Sequence, residues 1–245
     1  MGRGDPVKGD KAKDKNKKNK NNKKITTTTT KAIRNPFKRG GSLISDRQLK
    51  GFSIVKRLGA GVSGKVFVAA KHANDNSDRV ALKMVDASKD ALAEFIFESG
   101  LSEQLSAICS IGPKFQKAWK IRADGKTIGI IVTDLWDTTL EKYMDKNKLK
   151  TLPRLVVDTI SRQITQMHQL GIVHLDIHGG NILLKLDPRG TPKDATLADF
   201  GNAMDLDAVD GDFLKEVIEW FEIPKTKDPK KVDVSLFSRL KREWK

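Results

Sequence analysis

Cysteine is almost absent from this chain of 245 residues: Cys109 is the only one. An intrachain disulfide is therefore impossible, and a structural zinc site built on several thiolates is excluded. No apolar run approaches the roughly 18 residues that a bilayer-spanning helix needs. The N-terminus also lacks the apolar stretch of a secretory signal, being rich in Lys, Asp and Asn. Met1-Gly2 opens like an N-myristoylation motif, but Pro6 stands where Ser or Thr is preferred. These absences predict an intracellular protein, cytoplasmic or nuclear, with no membrane partner. Carboxylates are scarce at one end only. The first forty residues hold fourteen Lys/Arg against three Asp, so +11 of the formal +15 sits there. The basic isoelectric point thus describes that segment more than the domain after it.

Residues 1–44 are Lys/Asn/Asp-rich and include five consecutive threonines, Thr26 to Thr30. So little apolar surface cannot offset the entropy of ordering, which predicts a disordered tail. Its charge suits nucleic acid, an acidic protein or a nuclear import receptor, or serves only to keep the chain soluble. Order is expected from Ser45. Residues 52–58 and 65–70 read as strands joined by a glycine-rich turn, and 79–85 as a third strand after the turn-forming run Asn74–Asp78. Helical spacing over 88–108 places Leu92, Phe95, Leu101, Leu105 and Ile108 on one face. A hairpin follows, with strands 115–121 and 127–133. Helices are expected near 138–146, 152–170, 212–221 and 232–244.

The turn between the first strands is Gly59-Ala60-Gly61-Val62-Ser63-Gly64-Lys65-Val66, which fits G-x-G-x-x-G-x-V. It also reads as G-x-x-x-x-G-K, one residue short of a Walker A loop. Val66 decides between them: a Walker loop needs Ser or Thr there and a helix after it, whereas Val66 opens a strand. Val80-Ala81-Leu82-Lys83 lies on the next strand in a run apolar enough to be buried, and a buried ammonium needs an anionic partner. The helix at 88–108 offers Glu94, Glu98 and Glu103. Glu98 is preferred, with Leu101 and Leu105 at +3 and +7 placing it beside the packed face; Glu94, one turn away, stays open.

Further on the chain reads Gly171-Ile-Val-His174-Leu175-Asp176-Ile-His178-Gly-Gly-Asn181, and eighteen residues later Asp199-Phe200-Gly201. In this order and spacing, the glycine loop, Val80–Lys83, Asp176/Asn181 and Asp199-Phe200-Gly201 resemble the protein kinase superfamily, strongly over 52–202. The resemblance implies an α+β, bilobal fold, with a small β-rich lobe at 45–136 and a helical lobe at 137–245. It implies ATP and Mg²⁺ as cofactors. Gly59 to Gly64 would cover the phosphates, Lys83 paired with Glu98 would position them, Asp176 would orient the acceptor hydroxyl, and Asn181 and Asp199 would hold Mg²⁺. Thr133 would be the gatekeeper, with the backbone of Asp134 and Trp136 reading the adenine edge and Val66, Ala81 and Leu183 sandwiching the ring.

The match also departs from the family. Leu175 replaces the Arg that receives a phosphorylated activation loop in many kinases. His178 stands where Ser/Thr kinases carry a phosphate-contacting Lys, and His174 is assigned to supporting the loop. Only 44 residues follow Gly201, with no Ala-Pro-Glu sequence. The resemblance narrows to a minimal Ser/Thr protein kinase with a shortened helical lobe, acting on a protein substrate and controlled by an activating partner. Three other readings remain: a small-molecule kinase like the aminoglycoside and choline kinases, which His178 suggests; an ATPase or kinase like the small kinase of the KEOPS complex; and a pseudokinase binding module.

Overall fold

Alternation of apolar residues over the first 90 residues of the folded part produces one antiparallel sheet. The computed structural model describes residues 44–45, 47–61, 64–71, 79–209, 211–222 and 224–244. The expected tail with Thr26–Thr30, the loop residues Val62 and Ser63, and the turn Asn74–Asp78 lie outside the described residues. Five strands, β1 (Ser53–Gly61), β2 (Gly64–Ala70), β3 (Arg79–Asp86), β4 (Phe115–Ala123) and β5 (Lys126–Asp134), pair in the order β1-β2-β3-β5-β4. Register fixes which side chains share a face. Val66 opposes Lys83, Ala81 opposes Thr133, and Lys83 opposes Ile131, so all five lie on one side.

Helix α1 (Leu92–Ile108) packs on that side through Phe95, which joins Val85, Ala87 and Ile131 in a small core. Gly129 permits the approach: a Cβ there would stand 2.3 Å from the Phe95 ring. Glu98 lies one turn beyond Phe95, so this contact sets its height above the sheet. The helix begins at Leu92 rather than Ser88, because Asp86 accepts the Ser88 N–H and holds a turn instead. Ile108, expected on the core face, is 69% exposed. The Leu105 carbonyl accepts the N–H groups of both Cys109 and Ile111, with Ser110 left-handed between them. That cap folds the fully buried Ile111 into the place Ile108 would have filled.

Past β5 the chain becomes largely helical: β6 (Thr138–Thr139), α2 (Leu140–Asn147), α3 (Arg154–Gln169), β7 (Ile172–Val173), β8 (Ile182–Leu186), β9 (Pro192–Leu197), β10 (Met204–Asp205), α4 (Gly211–Trp220) and α5 (Pro229–Glu243). Strands β6, β8 and β9 form a second sheet, and β7 pairs with β10. The main core gathers Met144, Ile160, Ile164, Met167, Leu184 and Phe237. Helix α5 starts where Asp228 accepts the Lys230 N–H and Pro229 fills the first turn. Residues 42–245 make one compact unit. Among the described residues no helix is long and apolar enough to cross a membrane.

Candidate active site

A buried ammonium joins the sheet to the segment after β9. Lys83, on β3, donates from Nζ to Glu98 Oε1 on α1 and, at 2.8 Å, to Asp199 Oδ1. Glu94 and Glu103 are both exposed, so Glu98 alone of the three candidates meets Lys83. One ammonium serves two carboxylates. Burial alone would lower the Lys83 pKa, but the charges of Asp199 and Glu98 outweigh it and hold it above the ordinary lysine value. The Glu98 carboxyl is pushed up, first by burial and further by Asp199, against the opposing pull of Lys83.

The loop between β7 and β8 carries Asp176 and Asn181. Asn181 Nδ2 donates to the Asp176 carbonyl at 3.0 Å and to Asp176 Oδ2 at 2.9 Å, and Asn202 Nδ2 reaches the same Oδ2 at 3.3 Å. Oδ2 is thereby occupied, and Oδ1 faces His178, whose Nε2 is 3.8 Å away. His178 accepts the Gly180 N–H on Nδ1, so a neutral ring carries its proton on Nε2, the atom turned to Asp176. With its amide nitrogen committed to Asp176, Asn181 keeps its carbonyl oxygen for another partner. That oxygen and the Asp199 carboxylate would supply hard oxygen donors of the kind Mg²⁺ takes while keeping several waters. The residues fit that ion.

Two non-glycine residues here adopt left-handed backbone: Leu175 at φ 61° and Asp199 at φ 64°. Such conformations persist only where surroundings over-determine them. Asp233 of α5 supplies the constraint at Leu175. Only 1% exposed, it accepts the His174 and Leu175 N–H groups at 2.9 and 2.8 Å and the His168 Nε2–H at 2.9 Å. None of the sequence motifs includes Asp233. Its signal is an acid among Val232, Leu236, Phe237 and Leu240, on the apolar face of an otherwise basic helix. Leu175 itself is core, 1% exposed. His174 is buried against Phe200, their ring centroids 5.4 Å apart, and its Nε2–H donates to the Ala198 carbonyl at 3.2 Å. Its Nδ1 is the buried side-chain polar atom among the described residues that finds no partner.

Of the remaining candidates, Val66, Ala81 and Thr133 lie on the same side of the sheet as Lys83. Val66, Ala81, Thr133 and, from β8, Leu183 are half-buried, while the residues on either side of Ala81 and Leu183 are buried. Asp134 commits its N–H to the Lys114 carbonyl at 2.9 Å and its carboxylate to Gln116. The Asp134 carbonyl in turn accepts the Thr133 hydroxyl at 3.5 Å. Gly59, Ala60 and Gly61 are exposed, and a Cβ on Gly59 or Gly61 would meet nothing within 4 Å. Gly64 is different: at φ +131°, its Cβ would stand 2.4 Å from the Met84 carbonyl oxygen. Its lack of a side chain serves β2–β3 pairing. Two cavities of about 300 and 530 Å³ flank the end of β5, and neither is lined by Lys83, Asp176 or Asp199.

A five-stranded antiparallel sheet with one packed helix, followed by a largely helical half whose β7–β8 loop carries Asp176 and Asn181, is a kinase-like α+β fold. A family model for the protein kinase domain matches residues 52–217, and the chain belongs to the protein kinase family. It is 27% identical over 205 residues to nucleosomal histone kinase 1 of Drosophila melanogaster, a match covering 75% of this chain and 32% of that protein. It is 40% identical over 53 residues to serine/threonine-protein kinase CG17528 of the same species, covering 22% of this chain and 7% of that one. The crystal structure of the PF14_0431 kinase domain superposes with a TM-score of 0.54 at 18% identity, covering 66% of this chain and 54% of the other. That likeness concerns the fold alone. The chain thus spans about a third of the histone kinase it resembles.

Proposed function

We propose that this chain transfers the γ-phosphoryl group of ATP, with Mg²⁺, to Ser or Thr hydroxyls of a protein substrate. The observation that carries this reading is Lys83 held between Glu98 and Asp199, because it ties the sheet and α1 to the segment after β9 that carries Asp199-Phe200-Gly201. Transfer of this kind depends on positioning and on neutralising charge. Lys83, fixed by Glu98, binds and aligns the phosphates. Asp176 Oδ1, the oxygen free of the Asn181 and Asn202 bonds, accepts and orients the substrate hydroxyl proton. His178 offers its Nε2–H beside it as a further donor to phosphate or substrate. Asn181 and Asp199 would hold the metal, which supplies charge neutralisation at the phosphates when bound. Gly59 to Gly64 with Val62 and Ser63, Val66, Ala81, Thr133, Asp134, Trp136 and Leu183 form the proposed nucleotide site.

We place the small lobe at 45–136 and a shortened helical lobe at 137–245. Leu175, buried rather than available to a phosphate, favours control by an activating protein partner over a phosphorylated loop. The serine/threonine specificity rests on the likeness to serine/threonine-protein kinase CG17528.

Incubation with γ-labelled ATP and Mg²⁺ tests the assignment. Label should appear on serine and threonine after acid hydrolysis of protein, with Thr26–Thr30 as autophosphorylation sites. Label found in a small metabolite and never in protein would overturn it in favour of small-molecule transfer. The glycines should separate by role. Gly59→Ala, with room for its methyl, should raise the KM for ATP while the melting temperature stays within about 2 °C. Gly64→Ala should cost roughly 2 kcal/mol or more of stability from the clash with Met84 and the left-handed φ. Equal melting temperatures for the two variants would contradict that division.

A further inference from the structure

The ends of β2 and β5 and the starts of β3 and β4 meet along one margin of the sheet. Register places Ala70 beside Arg79, Val80 beside Asp134, and Thr133 beside Phe115 there. The two cavities at this margin share Gln116, Asp134 and Lys185, so they form one groove. The part of about 300 Å³ continues to Lys71 and Arg79. The part of about 530 Å³ continues to Glu103, Ser106 and Ala107 of α1 and to Asp194 of β9. Strands lie about 4.8 Å apart, so the margin from β2 across β3 and β5 to β4 spans about 14 Å before the groove reaches α1.

A β-bulge builds the middle of the groove. Phe115 opposes Thr133 and Lys117 opposes Val132, which makes Gln116 the extra residue of β4. Gln116 Nε2 donates to Asp134 Oδ1 at 3.0 Å, and the Gln116 side-chain oxygen remains an acceptor for a peptide N–H. Phe115 and Trp136 supply ring surface beside it. Charge differs between the two ends. Lys71, Arg79 and Lys185 line the smaller part, with Asp134 its one carboxylate among the described residues. The larger part adds Glu103 and Asp194 against one further cation, Lys114.

The fold holds these opposite charges apart. Lys185 opposes Asp194 across β8 and β9, yet the two do not pair. Lys185 Nζ lies 5.4 Å from the Trp136 ring centroid, while Asp194 Oδ1 accepts the Ala195 N–H at 2.8 Å. Among the described residues, none of Lys71, Lys114, Lys185, Glu103 and Asp194 forms an ion pair. A ligand with the complementary order of charges satisfies both ends at once.

We propose that this groove docks an extended segment of a partner protein that carries acidic residues at one end and basic residues at the other. The acidic end meets Lys71, Arg79 and Lys185, and the basic end meets Glu103 and Asp194. An apolar side chain between them rests on Phe115 and Trp136, as aromatic anchors do inside a polar rim. Roughly six to eight residues, at about 3.3 Å each, cover the groove. A nucleic-acid backbone carries one sign of charge only and is repelled at the α1 end. None of Lys83, Asp176 and Asp199 lines the groove, so docking is measurable without phosphoryl transfer.

The test is fluorescence anisotropy of the full chain with labelled Asp-Asp-Ser-Leu-Leu-Ser-Arg-Arg, without ATP, at about 100 mM salt. This probe should bind roughly tenfold more tightly than a peptide of the same composition with its charges interspersed. Lys71→Glu/Lys185→Glu should weaken binding about tenfold, and a probe with Arg-Arg at both ends should restore it on that variant. Glu103→Lys/Asp194→Lys should weaken it similarly, with restoration by Asp-Asp at both ends. Should the change at Lys185 lower the melting temperature, Lys71→Glu at an exposed position carries the test with about a threefold loss. Equal affinity for the two peptides, or affinity unchanged in both double variants, would overturn the proposal. So would polyglutamate binding as tightly as the probe with Glu103→Lys/Asp194→Lys having no effect, which would mark a purely acidic ligand at the Lys71 end.

Discussion

Asp199→Ala is expected to abolish phosphoryl transfer, lowering kcat by at least about 10³-fold, while the protein melts near the parent temperature. The catalytic loss is large because one side chain does two things. It supplies half of the proposed metal donor set, and it accepts the Lys83 ammonium at 2.8 Å, fixing that lysine relative to the segment after β9. Removing a preorganised charge from such a site costs about 4 kcal/mol in the transition state, which is about 10³-fold in rate. The structural loss is small because Lys83 keeps Glu98. Without Asp199, the Glu98 carboxyl also loses the like charge that raises its pKa, so the remaining pair tightens. The Asp199 side chain is 27% exposed, and water replaces it readily. Transfer assays beside thermal melting check both halves. Retained activity would sink the assignment of Asp199, and a collapsed melting transition would show a structural role instead.

The second large effect is on stability. Asp233→Ala should lower it by about 3 to 5 kcal/mol, or roughly 10 °C in melting temperature for a domain of this size. Three donors converge on this carboxylate, two of them backbone N–H groups, at a position 1% exposed. Leu175 relies on the same contact to hold its left-handed backbone, so activity should fall even at temperatures where the variant stays folded. Asp233→Asn should also destabilise, since one acceptor oxygen becomes a donor facing another donor. Calorimetry and an activity assay well below the transition distinguish the two consequences. A variant that melts like the parent would remove Asp233 as the anchor of the loop.

These two residues differ in how visible they are in the sequence. Asp199 stands in a tripeptide whose order after Lys83 and Asp176 carries meaning. Asp233 belongs to no motif, and its partners His168, His174 and Leu175 are 58 to 65 residues away. Only the periodicity of α5, with an acid on the buried face, hints at it. The longer elements were legible because their apolar periods extend over several turns or pleats: β1 to β5, α1 to α5 and the β4–β5 hairpin. Two-residue strands such as β7 and β10 are too short to carry a period. Ile108 misled because its spacing is right, while a left-handed Ser110 gave its place to Ile111. Glu98 and Glu94 were separable only by degree in the sequence, being one turn apart. Contact of Phe95 with Gly129 sets the height of α1 and decides which of them reaches Lys83.

By itself, then, the sequence determined the kinase-like α+β fold and the family, because local periodicity and ordered motifs survive in one dimension. Tertiary structure alone decided which charges meet: Lys83 with both Glu98 and Asp199, Asp176 with Asn181 and Asn202, Asp233 with the loop it anchors. It also decided that Gly64 serves strand pairing. Such pairings depend on distances between segments far apart in the chain, and those distances exist only once the core has closed.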